Sequence, residues 1–314
     1  QIITFKIILI NMVAISFWGY TQSMAIENIF NTKVGLALGG GGAKGIAHIG
    51  VLKALQDAHV EVDYVAGTSV GAMVASMVAF NINLDVVAEI AKNMTLAQIT
   101  AFKFNKTGFF TADPLKEILI EHLGEVNIED APIPLAIVAT DINSGEEVIF
   151  TEGPLADAVC ASASIPGVYI PMELNGRTLV DGGIVQSVPV QAVKAMGAGV
   201  IIASQLGGVG AYEEPKNVLD VMRNAFDIAL SHRTHEETKA ADILIAMDLR
   251  DFSISDNTER YDELCAIGYN TAAQALKKMA WFRSSNFLLY LWRIIRFVSP
   301  FKLPEIFGSH RKKS

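Results

Sequence analysis

From Val34 onward, short apolar runs alternate with stretches whose apolar residues recur at helical spacing. VGLAL (34–38), Val62–Ala66, Leu135–Thr140, GVIIASQL (199–206) and ADILIAM (241–247) predict buried strands. Ile46, Ile49, Leu52 and Leu55 lie close to a 3.6-residue period and predict a helix after the first strand. A second helix follows Ala66 and runs to about Phe80. Asp113-Pro114 reads as an N-cap followed by proline at the first helical position, opening a helix to His122. Further helices are predicted over Pro189–Met196, between GVIIASQL and ADILIAM, and from about Thr258 to Met279, with Gly197 placed to stop the first of them. Asn143-Ser144-Gly145 turns the chain into EVIFT, and Asn175-Gly176 is a hairpin turn between PMEL and RTLV. Strands that are apolar throughout and alternate with helices imply an α/β fold with a mostly parallel sheet covered on both faces. Ligands of such sheets bind outside the carboxyl ends of the strands. Two glycine-rich turns, Gly39–Gly45 and Gly67–Gly71, fall at such ends.

The two ends of the chain break this pattern. Ile7–Trp18 is apolar except for Asn11 and Ser16, follows Lys6, and precedes the small-x-small triplet Ser23-Met24-Ala25. Residues 1–32 therefore predict a signal peptide or membrane anchor. The first residue is Gln1, as expected of a processed or partial chain. At the other end, Phe287–Val298 is apolar apart from Arg293 and Arg296, too short and too charged to span a bilayer.

Charge sharpens the reading of that tail. The chain of 314 residues carries a net charge of −8, yet from Lys277 onward it has nine Lys and Arg against the single acid Glu305. An acidic body excludes a general nucleic-acid binder. The basic, aromatic-rich tail, 281–314, predicts binding to an anionic membrane surface. The expected localisation is membrane-associated, peripheral or N-terminally anchored, with export and cytoplasm both open. The domain between, 33–280, is rich enough in apolar residues for one large core. Cys160 and Cys265 have neither metal-ligand spacing nor a disulfide framework and read as small buried residues.

Gly40-Gly41-Gly42-Ala43-Lys44-Gly45 places backbone N–H groups at a helix N-terminus, which is an anion site. It fits G-x-G-x-x-G, and Asp63 lies about where a ribose-binding acid would stand, so a dinucleotide-binding enzyme is one reading. Asp63, however, begins the next strand instead of ending it. A phosphate-binding Walker loop fails, because Lys44 is followed by Gly45. The same N–H groups suit the oxyanion of an acyl-transfer intermediate.

Gly67-Thr68-Ser69-Val70-Gly71 is G-x-S-x-G between a strand and a helix, the setting in which a serine hydroxyl is exposed on a sharp turn. Ser69 is the candidate nucleophile. It needs a base, and Asp181, at a strand end before Gly182-Gly183, is the best candidate. His232 and His235 would complete a Ser-Asp-His order, but they stand three apart in the polar stretch SHRTHEETKA and read as a solvated helix face. His48 reads as a packed helix residue beside the glycine loop; His59 and His122 have no evident partner. No metal ligands are apparent.

Taken together, Leu36–Leu55, Gly67–Gly71 and Asp181-Gly182-Gly183 resemble the patatin-like phospholipase family, closest to its small bacterial members. The stretch Cys160–Val190 is similar nearly throughout. The resemblance covers roughly Lys33–Ala280 and implies a three-layer α/β/α sandwich with a Ser–Asp dyad. On this resemblance Ser69 is the nucleophile and Asp181 the base. Gly40, Gly41 and Gly42 form the oxyanion hole, with Gly41 and Gly42 favoured as donors. Lys44 stands at the family's basic position, and Gly45, Gly67, Gly71, Gly182 and Gly183 support the motifs. The chain departs from many relatives in carrying Gln186 and Ser187 where they have asparagines. The implied activity is hydrolysis of lipid esters, of phospholipase A or lysophospholipase type, without a cofactor. A non-catalytic membrane-binding member of the fold is the remaining alternative.

Overall fold

A computed structural model describes residues 32–103, 105–207, 221, 224–225, 228, 233–252 and 258–277. The predicted N-terminal segment up to residue 31, the tail 281–314 and most of the helix expected before ADILIAM lie outside the described residues.

The first strand, β1 (Val34–Leu38), matches its predicted limits and leads through the glycine loop into α1 (Ile46–Asp57). Next come β2 (Tyr64–Thr68) and α2 (Val70–Ala79). The second strand starts and ends two residues later than its apolar run suggested, because its pairing with β1 runs from Tyr64 to Gly67. Two helices not anticipated from the pattern, α3 (Leu84–Asn93) and α4 (Leu96–Ile99), precede a small hairpin of β3 (Ala101–Phe102) and β4 (Phe110–Thr111). Helix α5 (Asp113–Leu123) is capped by Ala112, not Asp113; Asp113 is already helical, and the Thr111 hydroxyl accepts its N–H at 3.3 Å.

Strands β5 (Leu135–Asp141) and β6 (Glu147–Phe150) are followed by α6 (Leu155–Ser162), also not anticipated. Strands β7 (Met172–Leu174) and β8 (Arg177–Asp181) form the predicted hairpin, with Asn175 and Gly176 both at positive φ as a tight two-residue turn requires. Helix α7 (Val190–Ala195), β9 (Val200–Gln205) and β10 (Ile243–Ala246) complete the sheet. The last predicted helix begins as a 3-10 turn, Thr258–Arg260, and is α-helical over 261–277.

The sheet order is β10-β9-β1-β2-β5-β8-β7, with β6 also paired to β5. The five strands from β10 to β5 are parallel; β6 and β8 pair antiparallel with β5, and β7 pairs antiparallel with β8. Each central strand divides its side chains between two cores. Leu36, Leu38, Val65, Ile137 and Ile202 face the larger one with α1, α2, α5 and α6. Ala37, Ala66, Ala136 and Ala203 face the smaller one with α7. Bulk on one face and alanine on the other let α7 lie close to the sheet while a deeper helical layer covers the opposite side. The result is a three-layer α/β/α sandwich. The chain leaves β1 on one side toward β2 and β5, and β9 lies on its other side, so the carboxyl end of β1 is a topological switch point.

Candidate active site

Ser69 stands where β2 ends and α2 begins, with φ 55° and ψ −125°. That backbone conformation costs a non-glycine residue on the order of 1–3 kcal/mol. The neighbourhood fixes it from several sides. The Ser69 N–H donates to the Ser162 hydroxyl at 2.8 Å, and that hydroxyl donates to the Val138 carbonyl at 2.6 Å. The preceding Thr68 hydroxyl donates to the Gln186 carbonyl at 2.9 Å. Gly71 lets α2 approach β1: a Cβ there would collide with the carbonyl oxygen of Leu38. The turn is therefore held by tertiary contacts, as a strained turn must be.

Asp181 is the last residue of β8 and is buried, 9% exposed. Its N–H donates to the Ser164 carbonyl at 2.8 Å, and its own carbonyl accepts from Thr140 Oγ1 at 2.9 Å. The carboxylate Oδ1 accepts the Gly183 N–H at 2.7 Å, and the Ser69 side chain lies close enough to the same carboxyl to favour its charged form. Burial pushes the Asp181 pKa up to about 6, against the opposing pull of the nearby Ser69 side chain and the Gly183 N–H. The residues the sequence singled out as nucleophile and base are thus neighbours, with the Ser69 side chain acting on the Asp181 carboxyl.

The glycine loop lies over this pair. A Cβ on Gly40 would sit 3.3 Å from the Ser69 Cβ. The Gly40 N–H, however, donates to the Ser187 carbonyl at 3.0 Å, so the structure commits it elsewhere. Gly42 begins a 3-10 helix, Gly42–Gly45, at φ 56°. The first N–H groups of such a helix have no acceptor within it, and among the described residues no acceptor meets the N–H of Gly41 or Gly42. Of the three expected donors, these two remain.

Gln186 and Ser187, where the chain departs from many relatives, act through their main chains. Their carbonyls bind Thr68 Oγ1 and the Gly40 N–H, tying the Asp181 loop to both glycine turns whatever the side chains are.

His48 is fully buried beneath the loop. Its Nε2 lies 2.9 Å from the Gly39 carbonyl and its Nδ1 2.9 Å from the Ser204 hydroxyl. A carbonyl can only accept, so Nε2 carries the proton and Nδ1 accepts from Ser204. Burial lowers the His48 pKa to about 4, so the ring is neutral. The Gly39 N–H in turn donates to the Ser204 carbonyl at 2.9 Å, so the loop's first residue is clamped at both its polar groups. Sequence placed His48 on the right helix without foreseeing the clamp. Ser162 escaped notice as well; its only signal was a small hydroxyl in a run otherwise rich in alanine.

Other candidates fall away from the site. Asp63 ties Lys33 at 2.6 Å and the Val34 N–H at 2.8 Å, at the amino end of β1 and β2, opposite the glycine loop. A ribose-binding role there is excluded by position. His235 is exposed on a helical turn, and His232 lies outside the described residues. The His122 Nδ1 lies 2.9 Å from the Ile118 carbonyl. Burial raises the Cys160 thiol to about 12, an inert group. Lys44 lies near Asp248, whose carboxyl is held down first by Arg250 and more weakly by Lys44. No group of His, Cys, Asp and Glu among the described residues could hold a metal ion. An apolar seam lined by Ile46, Ile49, Val70, Met73, Met77 and Met94 starts at Gly42 and runs between α1, α2 and α3.

The fold and this geometry define an α/β protein that gathers a glycine loop, a strained serine and a buried carboxylate at its strand ends. Residues 36–194 match the family described as patatin-like phospholipase, and the chain belongs to that family. It is 38% identical over 189 residues to an NTE family protein of Mycobacterium tuberculosis, covering 59% of this chain and 52% of that protein. It is 36% identical over 182 residues to a neuropathy target esterase of Drosophila melanogaster, covering 55% and 13% respectively. It is also 31% identical over 204 residues to a lysophospholipase of Yarrowia lipolytica, covering 60% and 14%. The chain thus spans about half the length of the mycobacterial relative and a small part of the other two. Among solved structures, VipD from Legionella pneumophila aligns with a TM-score of 0.48 at 16% identity, over 79% of this chain and 67% of that one.

Proposed function

We propose that the protein is a serine acyl hydrolase acting on lipid esters through a Ser69–Asp181 dyad. The observation that carries this reading is the strained Ser69 turn beside a buried carboxyl whose pKa burial has raised to about 6. A base of that pKa is ionised at neutral pH and still basic enough to take a proton in the transition state; such assistance is worth ~10²–10⁴ in rate. Asp181 takes the Ser69 proton as the oxygen attacks the ester carbonyl. The oxyanion forms against the N–H groups of Gly41 and Gly42, each such donor contributing on the order of 10²–10³ in rate. The alcohol leaves with the proton, and water then cleaves the acyl-serine by the same route in reverse.

Lipid esters are favoured over other esters by the family and by the names of its relatives, an esterase and a lysophospholipase. The apolar seam beside Val70 suits an acyl chain. Its free volume is about 40 Å³, so Met73, Met77 and Met94 must turn aside to admit one, a motion methionine allows. Phospholipid and lysophospholipid are the proposed substrates. The work is placed at a membrane surface, with residues 281–314 as one contact. No helix among the described residues is long and apolar enough to cross a membrane.

A fluorophosphonate serine probe tests the reading. The wild-type chain should label and hydrolyse lysophospholipid or phospholipid. Ser69→Ala should do neither, and Asp181→Asn should lose at least a hundredfold in rate. Labelling that survives Ser69→Ala would sink the proposal. Retained vesicle binding with no turnover in the wild type would favour the non-catalytic alternative.

A further inference from the structure

The hairpin of β3 and β4 exposes what a soluble surface normally hides. Phe102 is 75% exposed and Phe109 half exposed, with the Phe102 ring edge-on to Phe110 at 6.0 Å. Lys103 and Lys106 stand exposed between them in the chain. Isolated surface leucines need no explanation, but two exposed aromatic rings on the two faces of one narrow hairpin, beside two lysines, give it a definite chemistry.

The hairpin is built to hold those side chains. Lys103 N–H donates to the Phe109 carbonyl at 3.0 Å and closes the arm. At the tip, the Asn105 side chain accepts from the Thr107 N–H at 2.7 Å, the Thr107 hydroxyl at 2.8 Å and the Gly108 N–H at 3.0 Å. The base is stitched to the segment after α6. The N–H groups of Phe109 and Phe110 donate to the Val168 carbonyl at 3.0 and 3.1 Å, and the Ile170 N–H returns to the Phe110 carbonyl at 2.8 Å. The same segment begins with Ser164, whose carbonyl accepts the Asp181 N–H, and continues with Ile165, itself 37% exposed. One short stretch therefore joins the hairpin to the backbone of the candidate base.

We infer that this hairpin is a docking surface for an anionic lipid bilayer, seating Phe102, Phe109 and Ile165 at the interface while Lys103 and Lys106 meet acidic headgroups. Aromatic rings favour the interfacial zone, and cationic residues beside them add attraction to anionic lipid. The two lysines decide for lipid over a purely apolar partner. The inference rests on the lipid reading of the Ser69 site only in its choice of surface, since docking needs no turnover.

The experiment uses the full chain and vesicles of phosphatidylcholine with or without phosphatidylglycerol, read by co-sedimentation. Phe102→Ser with Phe109→Ser should lower affinity at least tenfold on both compositions. Lys103→Glu with Lys106→Glu should lower it only on the anionic vesicles. Both should leave hydrolysis of a soluble short-chain ester and the melting temperature unchanged; if the aromatic pair melts lower, Phe102→Ser alone carries the test. Unchanged vesicle affinity in the aromatic variant overturns the inference, as does a change of oligomeric state, which would make the patch a contact between copies. Ser69→Ala should bind vesicles like wild type, so a failure of the hydrolase reading leaves this readout standing.

Discussion

The side chain of Ser69 neighbours the carboxyl of Asp181, with no described imidazole between them. A carboxylate base imposes its own pH dependence. Burial holds Asp181 at about 6, so below that value it is protonated and cannot accept the serine proton. For a soluble ester, kcat/KM should rise about tenfold per pH unit up to about 6 and level off above it. A profile from pH 4.5 to 8.5 checks this. An acid limb that disappears in His235→Ala would transfer the role of base to histidine.

The same burial makes Asp181 a liability to the fold. Its pKa is raised from 3.8 unfolded to about 6 folded, so the folded state binds more protons in between. Stability is lost as pH rises through that window, and the full cost stands above it. Two units correspond to about 3 kcal/mol. Asp181→Asn keeps the acceptor for Gly183 and removes the charge. Its stability gain over wild type should therefore be full at pH 8 and vanish near pH 4, while activity is lost. Urea denaturation at the two pH values measures it; equal gains at both would mean the effect is not ionisation.

His48 has the opposite sign. Its pKa falls from 6.5 unfolded to about 4 folded, so its contribution is fully present above 6.5 and lost as pH falls toward 4. Protonation also reverses the Nδ1 bond, turning Ser204 from donor to acceptor, while Nε2 keeps its bond to Gly39. His48→Gln should flatten the acid limb of stability between pH 6.5 and 4 relative to wild type. If the clamp also positions the glycine loop, the variant should lower kcat with little change in KM. Identical acid limbs in the two proteins would remove His48 from this account.

Much of this site was legible because its parts carry strong local signals. Apolar runs located β1, β5, β9 and β10, and glycines that permit close approach marked both turns. The strand-end position of Asp181 followed from the hairpin turn at Asn175-Gly176. Four adjacent glycines, by contrast, give no hint which N–H faces which acceptor; the carbonyl of Ser187 settles that for Gly40. Helix α6 is buried on nearly every side, so it shows no polar stripe to set its period. Helix α3 could have been found, since Asn83 caps it by accepting the Asp85 N–H and its apolar face is clear. The hairpin at 101–111 has strands of two residues each, too short for alternation to register.

Ser162 is the sharpest of these unread residues. Its hydroxyl is fully buried, accepts the Ser69 N–H and donates to the Val138 carbonyl. Ser162→Ala strips the buried Ser69 N–H of its partner and the Val138 carbonyl of one donor, at a cost of about 1–3 kcal/mol for a buried group so stranded. The loss falls at the nucleophile's own backbone, held at φ 55° partly by that bond. The variant should melt at lower temperature and label with a fluorophosphonate probe at least tenfold more slowly, because small misplacements of a nucleophile are expensive. Ser162→Thr keeps the hydroxyl and should recover labelling if the extra methyl is accommodated. A Ser162→Ala protein that labels at the wild-type rate would show that the turn keeps its geometry without this bond, leaving the packing of Gly71 against Leu38 to hold Ser69 in place.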